Sequence, residues 1–114
     1  MYDSSKDRLP RATPRTESPI SDGYQVTAAM VSDSADLPTY AQSLRIWNGT
    51  TGTIRLMVTL MRTESDLAAA AVPIDCPPGI SWEPLRVRRI WSAGSTGLAA
   101  ALTAGTASVV AGTL

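Results

Sequence analysis

The sequence predicts an all-β domain, a small antiparallel β-sandwich or barrel of the jelly-roll kind, preceded by an extended N-terminal arm. Three observations predict it. From Tyr24 onward the chain consists of short β-type runs separated by Gly, Pro, Asp and Asn. Ile54–Leu60 places Ile54, Leu56, Val58 and Leu60 on one parity and Arg55, Met57 and Thr59 on the other. Residues 1–23 hold almost nothing that fills a core. The arm is therefore assigned to residues 1–23 and a single β-domain to residues 24–114, since 114 residues suffice for one core. Much of the 44% hydrophobic share is Ala and Val, and Phe is absent. The buried groups are accordingly small, and neighbouring subunits are expected to supply further burial.

In the arm, Pro10, Pro14 and Pro19 stand among Ser, Thr and charges, a composition that keeps the chain extended and orders it only on assembly. Gln25–Val31 reads as a strand whose two parities are equally apolar. Ser32-Asp33-Ser34-Ala35-Asp36-Leu37-Pro38 ends it with residues that bond their own backbone. Ser43-Leu44-Arg45-Ile46-Trp47 is the next strand. Asn48-Gly49-Thr50-Thr51-Gly52 is expected to turn it back as a hairpin, with Gly49 and Gly52 at positive φ. In the return strand Ile54, Leu56, Val58 and Leu60 share one face. Residues 63–71 combine a cap-like Thr63 and Asp66 with four alanines, and a single helical turn is expected there. Val72, Ile74 and Cys76 form a strand that Pro73 restricts to an edge or a bulge. Pro77-Pro78-Gly79 turns the chain into an extended Ile80–Glu83. In the strand Leu85–Trp91, parity places Arg89 with Leu85, Val87 and Trp91, and Arg86 and Arg88 on the other, exposed face. Leu98, Ala100 and Leu102 alternate as a strand, and Ser108–Ala111 closes the domain. Trp47, Trp82 and Trp91 are expected in the core, which has no Phe to fill it.

Ten basic and ten acidic residues cancel, so no global attraction to nucleic acid or an anionic membrane is expected. Their distribution is uneven. Residues 17–83 carry eight acids against three bases, whereas Arg86, Arg88 and Arg89 occur in a C-terminal stretch without acids. Such asymmetry suits contact between subunits, and Asp33, Asp36, Arg86, Arg88 and Arg89 are the expected subunit or capsid interface. Arg89, sharing a face with apolar side chains, is expected to be partly buried beside a carboxylate. Histidine is absent and Cys76 is the single cysteine, so the usual general base and the usual zinc ligands are missing. No phosphate loop or nucleophile elbow occurs. The expectation is a non-enzyme without metal or cofactor. No apolar stretch has the length of a signal peptide core or a membrane span, which points to synthesis in the cytoplasm.

Two stretches carry a more specific pattern. Val31-Ser32-Asp33-Ser34-Ala35-Asp36-Leu37-Pro38 leads to Ser43-Leu44-Arg45-Ile46-Trp47-Asn48-Gly49-Thr50-Thr51-Gly52. Pro78-Gly79 leads through Pro84-Leu85-Arg86-Val87-Arg88-Arg89-Ile90 to Ala93-Gly94-Ser95-Thr96. Together, over residues 17–102, they resemble the head-spike base family of gene transfer agents and related tailed phages. The resemblance implies a non-catalytic virion protein, made in the host bacterial cytoplasm and seated at a capsid vertex, that anchors a host-binding spike or fibre. Its implied partners are the major capsid protein, the spike or fibre, and further copies of itself, with a pentamer favoured and a trimer the runner-up. Residues 62–71 and 103–114 depart from the family pattern. A small carbohydrate-binding β module is the alternative, and it requires exposed aromatics in a groove.

Overall fold

Alternation along Ile54–Leu60 demands a core-facing side, and the fold provides one in buried Ile54, Leu56 and Val58, although Thr59 on the other parity is buried too and Leu60 only half-buried. The computed structural model describes residues 1–6 and 23–113. Among them are seven strands: β1 (Gly23–Gln25), β2 (Ser43–Asn48), β3 (Ile54–Leu60), β4 (Val72–Cys76), β5 (Gly79–Glu83), β6 (Val87–Trp91) and β7 (Ala107–Gly112). One helix, α1 (Leu98–Ala104), joins β6 to β7. Two antiparallel sheets result, ordered β1-β7-β2-β5 and β4-β3-β6. Leu44, Ile46, Val109 and Ala111 of the first sheet meet Leu56, Val58, Ile74 and Ile90 of the second in one core, which defines a sandwich rather than a closed barrel.

The order of the strands is that of a jelly roll with one strand replaced by irregular chain. Val31–Ala41 runs antiparallel beside β6, through Ser32 N to Ile90 O (3.0 Å), Leu37 N to Arg88 O (2.8 Å) and the bridge between Ala41 and Val87. Counted as the second of eight elements, it makes the sheets read first-eighth-third-sixth and second-seventh-fourth-fifth, the two interlocked Greek keys of that fold. Ser32 and Leu37 are five positions apart, but their partners are only two apart, so residues 33–36 bulge outward from β6.

Several expectations give way. β2 and β3 do not form a hairpin: β2 pairs with β5 and β7, and β3 with β4 and β6, so residues 49–53 carry the chain from one sheet to the other. Each strand has one apolar face, and facing sheets satisfy both without pairing them. The crossing is closed by Asn48, which is buried and donates to Gly52 O (2.8 Å) and Cys76 O (2.9 Å) while its Oδ1 accepts from Thr50 N (3.0 Å). Neither Gly49 nor Gly52 is among the glycines at positive φ. Gly49 is needed for a different reason, since a Cβ there would lie 2.4 Å from the Trp47 ring and 2.8 Å from Thr106 O.

Of the expected strand Gln25–Val31 only Gln25 is in a strand, as the last residue of β1, and a 3-10 turn follows at Ala28–Met30. Leu98–Leu102 is helical instead of extended. Leu98, Ala101 and Leu102, spaced three and four apart, face the core, and Gly105 in the left-handed region accepts the chain reversal with its N–H toward Ala101 O and Leu102 O. Trp91 is buried, whereas Trp47 and Trp82 are 38% and 67% exposed because they occupy the outward parity of β2 and β5. Pro73 does sit on an edge strand, and the alanines at 68–70 do make a single 3-10 turn. Of the arm, residues 7–22 lie outside the described residues. Met1–Lys6 include a 3-10 turn at Ser4–Lys6 and join the domain where Tyr40 N donates to Lys6 O (2.7 Å).

Replacing Gly49 by Ala should cost about 1–3 kcal/mol through overpacking. Replacing Gly52, whose Cβ would meet nothing within 4 Å, should change stability by less than about 0.5 kcal/mol. Urea unfolding of both variants measures the contrast.

Candidate functional site

Arg88 is one residue too many for its strand. In the pairing of β3 with β6, Thr59 faces Arg89 and Leu60 faces Val87, so Arg88 is the extra residue of a β-bulge. The bulge lets Val87 and Ile90, which simple alternation would put on opposite faces, both join the core. It also turns Arg88 inward, fully buried, where parity predicted exposure. Arg89 is buried as its parity predicts, and the Asp36 side chain is buried beside it. Their side chains are 7% and 8% exposed, so with Arg88 they are internal groups of the domain and leave little surface for the contact expected of them.

The charges meet one another. Arg88 Nη1 lies 3.0 Å from Asp36 Oδ1, and Arg88 Nη2 lies 2.7 Å from Asp66 Oδ1. Arg89 Nε donates to Asp36 Oδ1 at 2.8 Å, and its guanidinium lies over the Trp91 ring at 5.3 Å. Arg88 also donates to Thr63 O (2.7 Å) and Ser65 O (3.2 Å), which pins the 61–66 connection. Tyr40, buried beneath Met1–Lys6, donates its hydroxyl to Asp36 Oδ2 (3.2 Å) and accepts from Asp3 N (2.9 Å). The Met1 amino group reaches Asp66 at 2.7 Å. Among the described residues every buried side-chain nitrogen and oxygen has a partner.

Burial alone would lower the pKa of Arg88, but the bonds to Asp66 and Asp36 outweigh it and hold it above the ordinary value. The Met1 amino group and then Arg88 hold Asp66 down to about 2. Burial first, and Asp36 in addition, push Tyr40 up to about 12. Asp33 is exposed, yet its Oδ1 accepts from Ser92 N (2.9 Å) and Ala93 N (2.8 Å), so it caps the turn after β6. Arg86 is half-buried and donates to Gln42 Oε1 at 2.7 Å. A buried carboxylate beside Arg89 was expected and is Asp36. Tyr40 and Asp66 were missed, because neither lies in a pattern that links it to an arginine more than twenty residues away.

A group of exposed apolar side chains lies elsewhere, on the outer face of the β1-β7-β2-β5 sheet. Arg45 and Trp82 face each other across β2 and β5, with the guanidinium 5.9 Å from the ring, and Trp47 faces Ile80. Beside them a shallow groove of about 350 Å³ runs over Gly23, Ser43, Val110 and Gly112. Among the described residues no cluster of acidic and cysteine side chains suits a metal ion. Comparison with protein-family models, curated proteins and solved structures finds no match for the chain.

Replacing Arg88 by Met should destabilise the fold by about 3–5 kcal/mol, because the buried Asp36 carboxylate loses one of its two guanidinium partners and Thr63 O and Ser65 O lose their donor. For Asp66 the folded pKa lies below the ordinary 3.8, so its contribution is present above that value and is lost as pH falls through about 2. Asp66→Asn should therefore flatten the acid limb of stability there, measured as denaturant midpoints against pH.

Proposed function

We propose that this chain is a capsid-vertex protein, the base on which a host-binding spike or fibre stands in a gene transfer agent or tailed phage particle. The observation that carries the reading is spatial. The two stretches that resemble the head-spike base family, around Asp33 and Asp36 and around Arg86–Ile90, lie more than fifty residues apart in sequence and meet in one buried ionic network. Two short matches thus form one structural unit, as a shared signature should. A jelly roll is also a scaffold that capsid subunits use.

On this reading the network holds the domain rigid and contacts are made elsewhere on its surface. Copies assemble as a ring, a pentamer matching an icosahedral vertex, with the major capsid protein below and the spike or fibre above. A carbohydrate-binding module is the second reading, and the exposed Trp82 beside Arg45 and the groove is what favours it.

Gold labelling of an epitope-tagged chain on purified particles tests the first reading: label at the vertices is expected, and its absence from particles overturns it. In that event glycan binding by the isolated chain, abolished in Trp82→Ala, would support the module.

A further inference from the structure

We propose that β5 is a pairing edge through which two copies of this chain join antiparallel about a two-fold axis at Ser81, continuing the β1-β7-β2-β5 sheet across both. Sheet edges present unpaired N–H and C=O groups and are ordinarily guarded by proline, charge, bulging, shortness or cover. Three of the four edges here are guarded. β1 is three residues long. β4 carries Pro73 and the Arg55–Asp75 ion pair (2.7 Å). β6 is covered by Val31–Ala41. Among the described residues β5 has only one of these devices, the charge of Glu83 at its last position: its five residues include no proline, no described segment covers it, and Ile80 and Trp82 point outward, 56% and 67% exposed.

The strand is also self-complementary, which identifies the occupant as a second copy. Pro78 and Pro84 each stand three residues from Ser81, so pairing about Ser81 uses the whole strand and stops where both copies lack an N–H. In that register Ile80 faces Trp82 of the partner subunit on the same face, an aliphatic and aromatic pair, and the reverse pair repeats across the axis. Glu83 falls opposite Gly79, so no like charges meet. A slip of one residue would set outward side chains against inward ones, and a slip of two would put Ile80 or Trp82 opposite a proline. Because Trp47 flanks Ile80 and Arg45 flanks Trp82 within each copy, the joined face carries a continuous row from Trp47 and Ile80 to Trp82 and Arg45 of the partner subunit.

Such a contact is isologous. It belongs to subunits outside a five-fold ring and does not depend on the vertex role. Light scattering during size-exclusion chromatography of the full chain should give twice the monomer mass. Ile80→Lys should halve it with an unchanged circular dichroism spectrum, and Val72→Lys on the guarded β4 edge should not. Ser81→Cys gives the second readout: opposed residues of an antiparallel pair lie within disulfide reach, and the single native thiol, Cys76, is buried, so mild oxidation should lock a covalent dimer. A monomer at every concentration, or an oligomer whose mass Ile80→Lys leaves unchanged, overturns the pairing. A dimer that Ile80→Lys dissolves but Ser81→Cys does not lock overturns the register about Ser81.

Discussion

The buried guanidinium of Arg88 is the constraint around which this domain is arranged. A fully enclosed cation is tolerated only when its donors are spent, and here they are spent on parts of the chain that have no strand to hold them: the bulged 33–36 segment through Asp36 and the 61–66 connection through Thr63, Ser65 and Asp66. A core of small aliphatic side chains offers limited apolar burial, and polar anchoring supplies the positional definition that large side chains would otherwise give. The bulge that delivers Arg88 to this position also brings Val87 and Ile90 into the core, so the ionic and apolar interiors share one cause.

How much of this was legible in the sequence depends on the range of the interaction. Alternation identifies β2 and β3, and Pro73 marks β4 as an edge, because those signals are local. Pairing is not local. Asn48–Gly52 has the composition of a hairpin loop, and only the partners of β2 and β3, far along the chain, make it a crossing between sheets. Leu98–Leu102 satisfies a two-residue alternation and a helical face equally, and its alanines together with Gly105 decide for helix. Arg88 was misplaced because parity counts residues evenly, whereas a bulge inserts one.

The proposed contacts and the ionic network occupy separate regions. The network lies where β6 meets the 33–36 bulge, and the exposed tryptophans lie on the outer side of the other sheet. Side chains that stabilise the domain are thus distinct from those of the proposed contacts, and substitutions on the outer sheet face leave the interior intact.

β7 is the last strand of the chain, yet it lies in the interior of its sheet, paired to β1 on one side and β2 on the other. While the protein is being synthesised, that sheet has a vacant slot between its first two strands until Ala107–Gly112 leave the ribosome. A nascent chain stalled before Ala107 therefore exposes two unpaired strands to which chaperones, or other unfinished copies, would bind.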